Sequence, residues 1–412
     1  MKVLIFTQYF PPETNAPAHR LGFFAKHLAG AGHDVTVICE APNYPKGVLF
    51  PGYKNGFFQR ESWGGVQVVR SWVWITTKKS FLFRVLNYVS FFFSSFMAGM
   101  RVKKADVVFA TSPPLFGLFA GALVAKLRRI PLISEIRDIW PDSAVAVGML
   151  KKNIAFRFVE VIEKTIYRQS VAVVANAQGI IKRLHIEKGV SQEKMTLLTN
   201  GAELDLFRAG VDYAEIEKRY GLKDKFVVLY TGLLGLAQAP YVVIEAANLL
   251  KDKNDVVFLV VGEGALKKQC EELAQKYSLK NVIFTGERPR AEMPAFASRA
   301  GVAIIPYKNE ALFRDVLPSK MFDYMSAEKP IIINLDGEGA AIIKAANCGL
   351  IAEPESPESL KESILKIYHD PSFAKKLGSN GRRYAEQHYD RKKISAHLEK
   401  LLKEVFISKT LA

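Results

Sequence analysis

Residues Phe226–Gly264 read FVVLYTGLLGLAQAPYVVIEAANLLKDKNDVVFLVVGEG, and the fold follows from this stretch. Phe226–Thr231 is a short, almost unbroken apolar run of the kind that a strand buried on both faces carries. The turn Thr231–Gln238 holds two glycines. Tyr241–Leu250 then sets apolar residues at helical spacing, and Val256–Val261 is a second apolar run ending on Gly262-Glu263-Gly264. Strand, helix and strand in this order make a βαβ unit and hence a parallel sheet.

Further strands are predicted on both sides. Val282–Thr285, Val302–Ile305 and Pro330–Asn334 extend the second half. Val3–Phe6, a helix over Ala18–Gly30, Asp34–Cys39, Ala105–Ala110, Pro131–Ile136 and Ser170–Ala175 give the first half the same alternation. The fold class is therefore α/β, with two Rossmann-like parallel-sheet domains of similar size. The predicted boundaries are 1–199, a polar linker 200–224, a second domain 225–390, and a C-terminal helix 391–412 that returns to the first domain. A length of 412 residues suits two cores better than one. Open parallel sheets bind ligands at the carboxyl ends of their strands. Two facing domains of this kind predict a cleft between them.

Charge separates the halves. Residues 1–200 hold 26 Lys and Arg against 12 Asp and Glu, whereas residues 201–412 hold 31 against 29. The basic first half points to an anionic partner, a membrane surface or nucleic acid, or else to a merely soluble basic face. Cys39, Cys270 and Cys348 are too widely spaced for a zinc site and fit a reducing compartment. The apolar run at the N-terminus is too short for a signal-peptide core, so a cytoplasmic protein is expected.

Several segments could carry chemistry. Glycines at Gly232, Gly235 and Gly262 follow strands, where a backbone can approach a phosphate; tight structural turns would need the same residues. Gln238 stands beside the first turn. In Asp315–Tyr324 (DVLPSKMFDY), Pro318 suits the first position of a helix. The amides of Ser319, Lys320 and Met321 would then face outward at a positive dipole end, and Lys320 adds a full charge. Asp323, one turn on, could accept hydrogen bonds from a ribose diol. An ordinary proline-started surface helix would look the same.

In the first half, Ser134–Ser143 (SEIRDIWPDS) ends a buried strand in charges. Arg137 could hold a diphosphate and Asp138 could take a proton from an acceptor hydroxyl, or the two could form a structural pair. In the loop Gln8–Arg20, Glu13 could contact an acceptor sugar and Arg20 a phosphate; a rigid proline turn is the alternative. The chain has no D-x-D triplet, so no metal site for a sugar diphosphate is expected. It also lacks G-x-S-x-G and G-x-x-x-x-G-K-[ST], against an α/β-hydrolase or a P-loop NTPase.

Taken in order, Tyr9–Glu13, Arg137–Asp142, Asn200-Gly201, the Gly232/Gly235 turn and Pro318-Ser319-Lys320 with Asp323 resemble the retaining family-four glycosyltransferases. Within these the chain is most similar to the bacterial O-antigen and colanic-acid, fucosaminyltransferase-like enzymes. The resemblance covers nearly the whole chain. It implies a GT-B fold, a nucleotide-sugar donor, no essential metal and retention of anomeric configuration. The family's E-x7-E element falls on Asp315 and Asp323, both aspartates here. Glu310 stands near as a substitute for the first. The family's histidine in the first domain falls on Arg137, and its Arg/Lys pair after the glycine turn is missing. Lys320 and Arg288 are then left to carry the diphosphate charge.

Lys78–Lys104 reads KKSFLFRVLNYVSFFFSSFMAGMRVKK, an aromatic core between basic flanks. The core is long enough to span a bilayer, but Arg84 and Asn87 would be costly in hydrocarbon. An interfacial helix on an anionic inner membrane fits better; a buried core helix is the other reading. The basic helix Lys151–Arg168 could add to this face. The resemblance implies a lipid-diphosphate-linked sugar acceptor, which both features would suit. The predicted function is transfer of a sugar from a nucleotide-sugar, with UDP the expected nucleotide and GDP left open, to such an acceptor in O-antigen, capsule or other surface polysaccharide assembly. A sugar-nucleotide 2-epimerase and a degenerate nucleotide-binding protein are the competing readings. Nucleic acid is not expected as a partner, because the aromatics cluster in one apolar helix and not in a spaced stacking surface.

Overall fold

The computed structural model describes residues 1–78, 81–146, 148 and 150–411. The chain divides into two compact units. Met1–Thr199 with the C-terminal helix from Lys392 form the first, and Asn200–Arg391 the second.

The N-terminal unit is built on an eight-stranded sheet. Its strands are β1 (Lys2–Phe6), β2 (Asp34–Glu40), β3 (Gln59–Trp63), β4 (Val66–Ser71), β5 (Val107–Ser112), β6 (Leu132–Ile136), β7 (Ala172–Ala175) and β8 (Met195–Leu197). They lie in the order β3-β4-β2-β1-β5-β6-β7-β8. The β3–β4 pair is antiparallel and the other pairs are parallel. The hairpin of β3 and β4 was not expected from the sequence, since QRESW has no apolar face to reveal it. The helices of this unit are α1 (Ala16–Gly30), α2 (Phe81–Arg101), α3 (Leu115–Arg128), α4 (Asp142–Ala146), α5 (Ile154–Gln169) and α6 (Gln178–Ile186). Asn15 caps α1, its Oδ1 accepting from the Ala18 amide at 2.9 Å. The core gathers Val3, Ile5, Leu21, Phe24, Val37, Phe109 and Val174, with Leu398 and Leu402 from the C-terminal helix. Continuous burial of β1 and β5 explains their unbroken apolar runs.

The C-terminal unit has six parallel strands. These are β9 (Phe226–Thr231), β10 (Val256–Val261), β11 (Val282–Gly286), β12 (Val302–Pro306), β13 (Ile331–Asn334) and β14 (Gly349–Ile351), in the order β11-β10-β9-β12-β13-β14. Its helices are α7 (Ala214–Tyr220), α8 (Tyr241–Leu249), α9 (Lys267–Lys276), α10 (Met293–Arg299), α11 (Ser319–Ser326), α12 (Glu338–Ala346), α13 (Pro357–His369) and α14 (Pro371–His388). The final helix, α15, is Arg391–Leu411.

Residues 200–224, expected to be a linker, instead belong to the C-terminal unit. They contain α7, and Ser298 Oγ donates to Val211 O at 2.8 Å. Asn200 Nδ2 reaches Leu317 O at 3.3 Å, and Ala202 bridges to Asp390. Polar composition misled here, because a few apolar side chains, Phe207, Ile216 and Leu222, are buried and anchor the segment together with these hydrogen bonds.

Candidate functional site

In the C-terminal unit, the carboxyl ends of β9 and β10 and the start of α11 come together. The two glycine turns interlock. Gly232 donates to Val261 O at 2.8 Å, and Leu234 to Glu263 O at 2.9 Å. A Cβ on Gly262 would lie 1.8 Å from Gly232 O, and both residues have positive φ, at +111° for Gly232 and +154° for Gly262. Gly262 is required by this close backbone approach and Gly232 by its positive φ. The Gly232 and Gly262 amides are committed to protein carbonyls, the latter to Gly286 O, so neither remains for a phosphate as the sequence suggested. Gly235 is crowded by Gln238, whose Oε1 would lie 2.6 Å from a Cβ there.

Pro318 is the N-cap of α11, and Ser319 is its first residue. Met321 does not offer its amide outward, as expected from the sequence. That amide donates to Pro318 O at 3.0 Å, and its side chain is fully buried. Ser319 and Lys320 are left as the outward amides of this helix start.

The Lys320 ammonium is the distinctive group. Nζ is buried and has no hydrogen-bond partner in the protein. It sits 4.2 Å from the centre of the Tyr230 ring and packs over Gly232. Burial lowers its pKa to about 7. Tyr324, next along the same helix from Asp323, fixes α11 against β9: its hydroxyl meets Thr231 Oγ1 at 2.8 Å and accepts from the Thr231 amide at 3.1 Å.

Asp323 is held by a residue that sequence reasoning passed over. Arg290 grips both of its oxygens, Nη1 to Oδ2 at 2.7 Å and Nη2 to Oδ1 at 2.9 Å. The only signal was the second arginine of Arg288-Pro289-Arg290, just after a strand end. Arg288, chosen from the sequence, lies 5.8 Å from the Tyr220 ring, and its buried Nε has no partner. Glu310 is exposed, directly before the short 3-10 turn Ala311–Asp315 that carries Asp315.

The N-terminal unit places the remaining residues at the carboxyl ends of β1, β2, β5 and β6. Glu13 is buried. Its Oε1 accepts from the Asn43 and Tyr44 amides at 3.0 and 2.9 Å, while Oε2 has no partner. Burial outweighs those two bonds and raises its pKa to about 7. Glu40, not anticipated, is buried beside it and takes hydrogen bonds from Gln8 Nε2 at 2.6 Å and Asn43 Nδ2 at 2.8 Å. Burial, reinforced by Glu13, holds the Glu40 carboxyl well above the usual carboxylate range.

Arg20 requires a correction. It is only 2% exposed, and Nε donates to Glu135 Oε1 at 2.8 Å. Its other nitrogens serve the Leu198 and Thr199 carbonyls. It is a structural clamp for the end of this unit: it is buried, and each of its three nitrogens already serves a protein oxygen. Glu135, fully buried, also accepts from Thr111 Oγ1 at 2.7 Å. Arg137 extends this chain, with Nε on Thr111 Oγ1 at 2.9 Å and Nη2 on Pro113 O at 2.6 Å. Burial lowers the Arg137 pKa to about 10 against the pull of Glu135. Asp138 is raised, chiefly by burial, which outweighs bonds from Ser143 and the Ile139 amide.

Helix α2 is one-sided. Phe91, Ser94, Ser95 and Ala98 are buried, and Asn87 accepts from Gln8 Nε2 at 2.6 Å. Leu82, Leu86, Phe93, Met97 and Met100 form an exposed stripe, Phe93 at 58%. The core reading thus describes one face and leaves the other apolar and bare. Leu82–Arg101 is long and apolar enough to cross a membrane by length and composition. Lys79 and Ser80 of the expected membrane segment lie outside the described residues. On α5, Ile154, Phe158 and Val161 make a second exposed apolar stripe, Ile154 at 87%.

Two parallel-sheet units with glycine turns and a charged helix start at strand ends define a protein of the two-Rossmann-domain class. Residues 16–201 match the family described as glycosyl transferase 4-like domain, and residues 212–384 match glycosyl transferases group 1. A putative colanic acid biosynthesis glycosyl transferase, WcaI of Escherichia coli (strain K12), is 28% identical over 405 residues, covering 96% of this chain and 98% of WcaI. Sucrose-phosphate synthase from Thermosynechococcus elongatus has the same fold, with a TM-score of 0.77 at 18% identity over 99% of both chains. Anabaena HepE in complex with UDP and glucose gives 0.74 at 17% identity, covering 98% of this chain and 99% of HepE. The chain belongs to the GT-B glycosyltransferases.

Proposed function

We propose that this glycosyltransferase moves a sugar, with retention, from a UDP-sugar to a lipid-diphosphate-linked saccharide during surface polysaccharide assembly at the inner face of the cytoplasmic membrane. The observation that carries the donor half is Lys320. A buried ammonium without a partner is costly unless an anion meets it. At the start of α11, a nucleotide diphosphate is the anion that suits it. HepE, solved with UDP and glucose, supports UDP as the nucleotide, and WcaI's colanic acid role supports a polysaccharide product.

In this reading the acceptor hydroxyl attacks the anomeric carbon as the bond to the diphosphate breaks. Lys320 and the Ser319 and Lys320 amides stabilise the charge on the departing diphosphate. Asp138, whose pKa burial raises, takes the hydroxyl proton; the departing phosphate is the alternative acceptor. Glu13, with its open oxygen, contacts the acceptor sugar. No metal is required. The apolar stripes of α2 and α5, among Lys78, Arg84, Lys103, Lys104, Lys151 and Lys152, suit an anionic bilayer surface.

The test is a thermal-shift panel of UDP, GDP, ADP and CMP in EDTA. Stabilisation scales with ligand excess over its dissociation constant. A shift selective for UDP and lost in Lys320→Ala is expected. No shift with any nucleotide would overturn the donor assignment. Conversion of a UDP-sugar to another UDP-sugar without acceptor would favour the epimerase.

A further inference from the structure

A cavity of about 740 Å³ opens in the N-terminal unit at the amino ends of β6, β7 and β8. Its apolar lining includes Ile130, Leu132, Ala172, Leu401 and Val405, so α15 closes one side of it. Arg137 and Asp138 follow the opposite end of β6, and a five-residue strand puts roughly 16 Å between its two ends. The cavity is therefore apart from the acceptor residues. Its size falls within the roughly 300–1,000 Å³ of small-molecule sites.

Cations outnumber acids around it. Lys126, Arg129, Lys194 and Lys409 line it against Glu193 and Glu404, and Glu404 pairs with Lys400 at 3.8 Å. Lys126 and Arg129 are exposed and have no side-chain partner among the described residues. Other polar lining groups are engaged by the protein. Gln169 Nε2 donates to Ala122 O at 2.7 Å, Ser408 Oγ to Glu404 O at 2.9 Å and Lys194 Nζ to Ser170 O at 3.2 Å. Among the described residues, none that lines the cavity holds a buried polar side-chain atom without a partner. A sugar or nucleotide would leave its own polar groups unmatched in such a place, whereas an apolar chain would not.

Helix α5 leads to this cavity. Its exposed Ile154, Phe158 and Val161 share one helical face with Thr165 and Gln169, which line the cavity. Thr165 Oγ1 donates to Val161 O at 2.7 Å, which leaves its methyl group for that face. Val171, 47% exposed, carries the apolar surface on to the cavity edge. The bare stripe of α5 thus runs into an apolar cavity with a cationic rim.

We infer that this cavity takes one acyl chain of an anionic membrane phospholipid, with the lipid phosphate resting on Lys126 and Arg129. The inference rests on the proposed membrane contact of α5 and adds a discrete, one-lipid site which lying on a bilayer surface does not require.

The experiment is calorimetric titration of the full chain with lysophosphatidylglycerol, lysophosphatidylcholine and glycerol 3-phosphate, below micellar concentrations, beside sedimentation with phosphatidylglycerol vesicles. The wild type is expected to bind one lysophosphatidylglycerol per chain and no glycerol 3-phosphate. It should prefer that lipid to lysophosphatidylcholine by at least about tenfold, the scale of two basic side chains at an anionic lipid. Thr196→Phe fills the cavity and should abolish binding of both lipids, while its vesicle sedimentation stays that of the wild type because the stripes of α2 and α5 are intact. Lys126→Gln with Arg129→Gly should bring the two lipids to within about threefold of each other; Arg129 has a φ of +54°, so glycine suits its backbone. If Thr196→Phe does not fold, Val171→Glu decides, because this exposed side chain would set a carboxylate against the lipid chain. Lipid binding left unchanged in the folded variant overturns the cavity assignment, and equal binding of glycerol 3-phosphate overturns the acyl chain. A dimer that Thr196→Phe dissociates would seat a second copy there instead. No single-lipid binding by a wild type that sediments with vesicles overturns the inference and leaves the membrane contact standing; failure of both removes the membrane contact as well.

Discussion

Lys320 Nζ lies 4.2 Å from the centre of the Tyr230 ring, buried, with the aromatic face as its nearest compensation. A ring face stabilises a cation less well than a carboxylate or water does. The site therefore carries a stability cost in the absence of ligand. Lys320→Met should leave the melting temperature unchanged or raise it, since it removes an uncompensated charge and keeps the packing. The same variant should weaken UDP binding by roughly 10- to 150-fold, the equivalent of about 1.5–3 kcal/mol for a charged hydrogen bond. Thermal unfolding and calorimetry on one preparation measure both.

The pH dependence of that binding follows from the same residue. Burial puts the free Lys320 pKa at about 7. A bound diphosphate favours the charged form, so the pKa in the complex is higher. Below pH 7 the lysine is protonated with or without ligand, and it makes affinity independent of pH. Above pH 7 the free protein must take up a proton to bind, and affinity falls by up to about tenfold per pH unit. Titrations from pH 7 to 9 should show this slope and matching proton uptake. A slope that persists in Lys320→Ala would assign it elsewhere.

Gly262→Ala should act on folding before chemistry. Its Cβ would lie 1.8 Å from Gly232 O, where only backbone can move, at a φ of +154° that side chains rarely adopt. Strain and overpacking together predict a loss of about 3 kcal/mol in the C-terminal unit. The check is urea unfolding, with the transition of this unit resolved from that of the other.

For the bare stripe of α2, Phe93→Glu with Met97→Glu should lower binding to vesicles rich in anionic lipid by at least about tenfold. These side chains are exposed, so the fold should be untouched and UDP binding unchanged. Wild-type binding should weaken with added salt, as screening of the basic residues requires. Equal sedimentation of variant and wild type with vesicles would remove α2 from the membrane contact.

The sequence by itself determined the alternation of strands and helices, the two α/β units and the positions of the glycine turns. These are local properties. An apolar run of six such as Val256–Val261 can only be buried, and a glycine after a strand marks a turn whatever surrounds it. The helix start at Ser319 was legible for the same reason, as Pro318 is a local signal. Tertiary structure alone decided which charges are available. Arg20 meets Glu135 115 residues away, and Arg290 meets Glu203 across 87; nothing in either neighbourhood announces the partner. Arg20 and Arg137 looked alike in sequence, yet packing committed every nitrogen of the first. Lys320, among so many lysines, was left buried and unpaired. Partners distant in sequence are set by how strands and helices stack, and that stacking makes one cation structural and holds another for a ligand.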